Sequence, residues 1–264
     1  MDQAGIEPVI RVQGLVAAYG ETVILDNVSF DVNSGEIFVI LGGSGCGKST
    51  LLKHMIGLRA PRRGKVLIGG SDVAAAEGTE RDAILRRIGV MYQSGALFGS
   101  MSLLENVSLP LEEFTDLPPD AVRATALMKL GLVGLGGAAG MLPAEISGGM
   151  RKRAAIARAM ALDPRILFLD EPSAGLDPVT SAELDDLIVR LSRTLGATFV
   201  VVTHELDSIY AIADRVIMLD KRTRRIVAQG DPRELRDHAD DPEVRRFFLR
   251  GRTESHVAET GERT

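Results

Sequence analysis

Ile37-Phe38-Val39-Ile40-Leu41-Gly42-Gly43-Ser44-Gly45-Cys46-Gly47-Lys48-Ser49-Thr50-Leu51-Leu52-Lys53-His54-Met55-Ile56 decides how the remainder of the chain is read. Residues 37–41 form an uninterrupted apolar run, short and β-branched enough for a buried strand, and residues 51–56 have helical character. Between them Gly42, Gly43, Gly45 and Gly47 alternate with small residues. Glycines at that density let successive backbone N–H groups wrap an anion where a helix begins, and the positive end of the helix favours the same charge. Lys48 is placed to reach the β- and γ-phosphates of a nucleoside triphosphate, and the Ser49 hydroxyl to bind Mg²⁺. Residues 42–50 therefore predict a phosphate-binding loop between a strand and a helix of an α/β fold.

Composition agrees. A chain of 264 residues, 45% of them hydrophobic, can bury a large core, most economically as one α/β domain with a helical sub-region. A net charge of -5 argues against nucleic acid as the main partner, which calls for a basic surface. The single cysteine, Cys46, excludes an internal disulfide framework and fits a reducing compartment such as the cytoplasm. Residues 1–11 carry Asp2 and Glu7 and lack the basic and apolar regions of a secretory signal. Apolar runs such as residues 199–202 are far too short to span a bilayer, so work at a membrane would need a partner to hold the chain there.

Short β-rich runs at residues 9–12, 23–25, 37–41 and 66–68 dominate the beginning. Residues 102–162 change character. Segments 119–130 and 149–162 are rich in Ala, Leu, Met and Arg at helical spacing and predict a helical subdomain inserted into the sheet domain. From Arg165 onward, strands (166–169, 198–203, 216–219) alternate with helices (179–195, 206–213), which implies a largely parallel sheet. Asp231-Pro232 and Asp241-Pro242 each read as an N-cap followed by Pro at the first helical position. Residues 252–264 are polar and aperiodic and read as a mobile tail.

A second phosphate-side element is Arg165-Ile166-Leu167-Phe168-Leu169-Asp170-Glu171, an apolar strand ending in two acids and stopped by Pro172. Ligands of open α/β sheets sit at the carboxyl edge, where these acids would lie. Asp170 would hold magnesium through its water shell, and Glu171 would orient or deprotonate an attacking water. Alone, such a strand end is common, and the phosphate loop upstream gives it its weight. The third element is Ile146-Ser147-Gly148-Gly149-Met150-Arg151-Lys152-Arg153, a serine N-cap followed by two glycines that open a helix with free N–H donors.

Here the chain resembles the ABC ATPase family, whose signature has Ser-Gly-Gly at this point, and the resemblance covers residues 9–230. It implies the P-loop NTPase fold of ABC ATPases, with an N-terminal antiparallel β region, an ATPase domain over residues 8–240, a helical subdomain over about 94–162, and a C-terminal extension at 241–264. Its implied ligands are ATP and Mg²⁺. Ser147, Gly148 and Gly149 would contact the γ-phosphate of ATP held on the opposite subunit's phosphate loop. Tyr19 resembles the aromatic that stacks on adenine, and Gln93 the glutamine that touches magnesium and links the site to the helical subdomain. Ala174-Gly175-Leu176-Asp177 resembles the loop joining the subunits, and His204 the histidine that steadies the γ-phosphate and attacking water. A lone histidine at a strand end is more often structural, and it is the order of the elements that gives His204 its reading. Met150 replaces the usual glutamine and Ala174 the usual serine, neither at a position assigned to chemistry.

The implied assembly is a homodimer of ATPase subunits docked on an integral-membrane permease, through a groove to which residues 94–107, with Phe98, Met101 and Leu104, would supply apolar side chains. Residues 91–98, Met150 and the stretch 241–247 look most like the Mla-type phospholipid-trafficking ATPases. Those work with an MCE-domain protein, and the likeness extends to a small regulatory subunit. The implied location is the cytoplasmic face of the inner membrane. An ATPase for amino acids or another small solute would share every catalytic residue. A non-transport ABC protein would show tandem cassettes or a long coiled coil, and a P-loop kinase would not need Ser147 to Gly149 or His204. Two further expectations concern single features. Alkylation of Cys46 would block hydrolysis, with ATP protecting. The apolar face of Val244, Phe247 and Phe248 packs on its own domain or reaches a neighbouring subunit or a small regulatory partner.

Overall fold

The computed structural model describes residues 8–249. The elements, in chain order, are β1 (Ile10–Tyr19), β2 (Thr22–Val32), β3 (Ile37–Gly42), α1 (Lys48–Met55), β4 (Arg63–Ile68), β5 (Ser71–Asp72), α2 (Gly78–Leu85) and β6 (Ile88–Met91). Helices α3 (Leu103–Phe114), α4 (Pro119–Leu132) and α5 (Gly148–Ala159) follow, then β7 (Ile166–Asp170), α6 (Pro178–Leu195), β8 (Thr198–Val202) and α7 (Leu206–Ile212). β9 (Arg215–Leu219), β10 (Ile226–Gly230), α8 (Pro232–His238) and α9 (Pro242–Leu249) complete the order.

Two hydrophobic patterns build two kinds of sheet. Along β1 the buried residues Ile10, Val12, Leu15 and Ala17 alternate with less buried ones, slipping once at Gln13 and Gly14 where the pairing is irregular, as a sheet with one wet face requires. β1 pairs antiparallel with β2 and β4 in a sheet of order β2-β1-β4-β5. By contrast β3, β8 and the first four residues of β7 are buried at every position. Such strands need cover on both faces, and they form the middle of a sheet of order β10-β9-β3-β8-β7-β6, parallel except for the antiparallel edge strand β10. Phe38 and Ile40 of β3 face a core shared with the antiparallel sheet and α1, while Val39 and Leu41 face the core built by α3 to α7.

The helices α3, α4 and α5 stand between β6 and β7 in sequence and pack on one another, which is where the composition predicts helix. α3 has a full capping box, Ser102 accepting from the Glu105 N–H while Glu105 accepts from the Ser102 N–H. Its buried Asn106 is satisfied on every side, accepting from the Phe98 N–H and donating to the Phe98, Met101 and Ser102 carbonyls. That network fixes the chain between β6 and α3.

α9 packs on its own domain. Val244 and Phe248 are buried in the core, and the Tyr210 hydroxyl donates to the Phe248 carbonyl at 2.9 Å. Phe247 between them is only partly buried and lines the cavity described below. The mobile-tail expectation for residues 252–264 lies outside the described residues, as does most of the stretch bearing on a leader.

Candidate nucleotide site

Four adjacent strands of the larger sheet end at one edge, and each delivers part of one cavity. β3 runs into the phosphate loop, β8 is followed by Thr203 and His204, β7 ends at Asp170 before Glu171, and β6 is followed by Tyr92 and Gln93. The cavity measures about 590 Å³ and is lined by Gly42, Gly43, Ser44, Gly45, Gly47, Lys48, Ser49, Thr50, Gln93, Glu171 and His204, with Ile24 and Phe247 adding apolar wall. Only glycine serves at position 42: its φ is 148°, and a Cβ there would lie 2.4 Å from the Leu219 carbonyl oxygen. α1 begins at Lys48, so the loop closes on the unpaired N–H groups of a helix start. The Lys48 ammonium donates to the Gly42 carbonyl at 2.8 Å and stands 4.0 Å from Glu171 Oε1.

Glu171 is held in the left-handed region, with φ of 49°, a conformation that costs a non-glycine residue energy and collects at functional sites. Its N–H donates to the Val202 carbonyl at 2.8 Å. Both carboxylate oxygens lie 2.9 Å from Nδ1 of His204. An ionised carboxylate only accepts, so Nδ1 carries the proton in this pair and Nε2 is the nitrogen left for another partner.

Asp170 is raised above the usual carboxylate pKa, first by burial and then by the neighbouring charge of Glu171, against the pull of Lys53, Lys48 and Lys152. Its Oδ1 is buried without a hydrogen-bond partner. A buried carboxylate oxygen left open at the strand end that borders the phosphate loop fits a hydrated divalent cation. Among the described residues no three of His, Cys, Asp or Glu form a metal cage. Mg²⁺ would therefore draw on the Ser49 hydroxyl, Asp170 through water, Gln93 and phosphate oxygens, in keeping with its habit of retaining waters.

Three expected site residues stand apart from this cavity. Tyr19 ends β1 and lies outside the lining. Its ring is 42% exposed and carries the Arg59 guanidinium 4.2 Å from its centroid. A hydrogen bond with the Thr50 side chain, and then the positive charges of Arg59 and Lys53, lower its hydroxyl pKa, so the ring is tied to the end of the phosphate loop. Asp170 lies behind the lining. Cys46 corrects an expectation: it is in the loop by its backbone alone. Its side chain is 2% exposed, in the core with Leu51, and burial raises its thiol pKa. Thiolate is the reactive form, so the native thiol should react with a disulfide reagent only after denaturation, and ATP should make no difference. Rapid labelling of the folded protein would contradict this.

The signature segment also lies away from the cavity in its own chain. Ser147 caps α5, accepting from the Met150 N–H at 3.2 Å. Gly149 is pressed against α6, where a Cβ would come within 2.5 Å of Thr180 Cγ2, and Gly148 lies beside Leu176. The loop Ala174, Gly175, Leu176, Asp177 thus abuts the signature, and Asp177 caps α6 by accepting from the Val179 and Thr180 N–H groups. A second cavity, of about 410 Å³, is an apolar groove walled by Leu58, Leu85, Tyr92, Pro110, Phe114 and Leu162 among others. It lies between the sheet domain and the helices. Phe98, half exposed, lies outside it, and Leu104 packs on the core.

A phosphate loop after β3, a histidine after the adjacent β8, a carboxylate pair at the end of β7 beyond it and a glycine signature opening an inserted helix define an ATP-binding cassette. Residues 25–174 match the ABC transporter family, and the chain belongs to that family. Over 243 residues it is 44% identical to the probable ribonucleotide transport ATP-binding protein mkl of Mycobacterium leprae, covering 92% of this chain and 69% of that one. It is 40% identical to the intermembrane phospholipid transport system ATP-binding protein MlaF of Haemophilus influenzae, covering 94% and 92%. Among solved structures, cbiO1 of Clostridium perfringens, part of the ABC transporter complex cbiONQ, superposes with a TM-score of 0.80 at 29% identity over 96% of this chain and 99% of the other. The dimeric, post-hydrolysis ATP-binding cassette MJ0796 bound to ADP and Pi gives 0.76 at 31% identity over 84% and 98%. The chain is the ATP-hydrolysing subunit of an ABC transporter, acting on ATP with Mg²⁺.

Proposed function

We propose that two copies of this chain close as a homodimer on two ATP molecules, that closure drives an integral-membrane permease, and that the cargo is phospholipid moving between inner and outer membranes. The observation carrying the dimer is the separation, within one chain, of the phosphate-loop cavity from Ser147, Gly148 and Gly149. A γ-phosphate on the loop can meet that signature only from a second copy, and the 174–177 loop beside it lies at the same junction. The dimeric solved relative supports this.

In this reading the backbone of residues 42–50 and the Lys48 ammonium hold the phosphates, and adenine stacks on the Tyr19 face opposite Arg59. Mg²⁺, bound through Ser49, Gln93 and water on Asp170, would neutralise charge developing on the β- and γ-oxygens. Glu171 accepts the proton of the attacking water as its oxygen bonds to the γ-phosphorus and the bond to the β–γ bridging oxygen breaks, ADP leaving with the electron pair. His204 orients the Glu171 carboxylate through Nδ1 and steadies the γ-phosphate.

The apolar groove is the permease's docking site, its aromatic and aliphatic lining suiting a helix of the partner. No helix of the described residues is long and apolar enough to cross a membrane, so the permease holds the subunit at the cytoplasmic face. The printed names of the relatives point to two cargoes. MlaF, named for phospholipid, is matched along nearly its whole length and supports phospholipid over the ribonucleotide of mkl. An MCE-domain protein and a small regulatory subunit complete the proposed assembly. Purifying the native complex tests the reading: a permease and bound phospholipid should come with the subunit, and Phe114→Asp should release it from the permease. A complex free of lipid whose ATPase rate rises with an amino acid would count against phospholipid.

A further inference from the structure

Lys152 carries a charge into the interior that the reaction described above does not use. It lies on α5, five residues after the signature serine, and is 8% exposed. Burying an ammonium is costly unless its donors are paired, and here two of them are. Nζ donates to the Gln93 carbonyl at 2.6 Å and to the Glu171 carbonyl at 3.1 Å. Both carbonyls belong to residues whose side chains line the nucleotide cavity. The Glu171 backbone is also the strained one, with φ of 49°, and is pinned on its other side by Val202.

The same helix grips the Gln93 segment again. Arg158 donates to the Ala96 carbonyl at 2.7 Å and the Gly95 carbonyl at 2.9 Å, and it also lines the apolar groove. Six residues of helix separate the two cations, about 9 Å along the axis. α5 is therefore a short bar with the signature at its start, the Gln93 segment along its side, the groove near its end, and one lysine reaching through to the backbone of the hydrolytic carboxylate.

We propose that Lys152 is a positioning residue for hydrolysis: it joins the signature helix to the backbones of Gln93 and Glu171, so that a displacement of either is passed to the Glu171 carboxylate. A lysine suits this task because one flexible cation can hold two carbonyls from different loops, which no neutral side chain of its length does. The groups facing it are Asp170 and Glu171 at the end of β7 and Glu205 before α7. Burial lowers its pKa, against the pull of those three carboxylates.

The inference rests on the reading of Glu171 as the water-activating group, so the test carries Glu171→Gln alongside. Wild type, Lys152→Met, Lys152→Arg and Glu171→Gln are compared as full chains for kcat and KM for ATP. Misplacing a reacting group by a fraction of an ångström to an ångström costs about ten- to a hundredfold in rate, so Lys152→Met should lose that in kcat. Its KM for ATP should stay within about twofold, since the phosphate loop is untouched. Lys152→Arg should recover most of the rate, because arginine keeps the charge and the donors that hold the two carbonyls. Wild-type kcat in a Lys152→Met protein that binds ATP overturns the proposal. A Lys152→Arg protein that binds ATP and hydrolyses it no faster than Glu171→Gln also overturns it, whether or not the Met variant folds. If Glu171→Gln itself hydrolyses normally, the reading of Glu171 fails instead.

Discussion

Glu171→Gln hydrolyses ATP ~10²–10⁴-fold more slowly than the wild type, the range that loss of a general base covers. The substitution keeps the shape of the side chain and removes the charge that accepts the water's proton. Glu171 is 8% exposed, bonded through its N–H to Val202 and faced by His204, so the amide is retained in place and the fold is undisturbed. Binding of ATP should survive, because the loop and Lys48 are intact. Steady-state hydrolysis beside a binding titration separates the two. Loss of binding together with rate would mean that Glu171 shapes the cavity more than it serves the reaction.

Lys48→Ala should act on the other half of the cycle. The ammonium sits at the mouth of α1, 10% exposed, with the Gly42 carbonyl and Glu171 around it. Charge-assisted hydrogen bonds are worth ~1.5–3 kcal/mol each, so removing a cation that serves two phosphates should weaken ATP binding by ~10²-fold or more. Equilibrium binding of a fluorescent ATP analogue measures it. An affinity within a few-fold of wild type would show that the backbone amides alone hold the phosphates.

The sequence made the phosphate loop legible because its physics is local. A buried strand, a glycine turn and a helix start are contiguous in the chain, and any fold that keeps them together makes an anion site. Asp170 and Glu171 were legible for a related reason, whereas His204 and Gln93 took their reading from the family resemblance. All four lie at or just after the end of an apolar strand, and parallel strands of one sheet finish at one edge, which is why residues far apart in sequence converge there.

What escaped the sequence depends on side-chain direction and on the third dimension. Cys46 sits among residues that line the cavity, yet its side chain turns into the core, which the identity of a loop residue does not disclose. Nothing in the run of residues around Asp170 signals that Glu171 adopts a left-handed backbone, whose N–H is held by the Val202 carbonyl, 31 positions away. Lys152 reads as one more charge on a helix until its carbonyl partners, 59 and 19 positions away, are seen. The apolar groove draws Leu58 from after α1 and Phe114 from the end of α3, so no single segment displays it.

Sedimentation of Glu171→Gln with ATP and Mg²⁺ is the most direct test of the central claim, that ATP is shared between the phosphate loop of one copy and Ser147 to Gly149 of another. With hydrolysis stopped, the variant should sediment at twice its nucleotide-free mass. The double variant Glu171→Gln, Ser147→Arg should bind ATP and remain at single mass. Dimers of equal stability in both variants, or ATP-saturated Glu171→Gln at single mass, would contradict it.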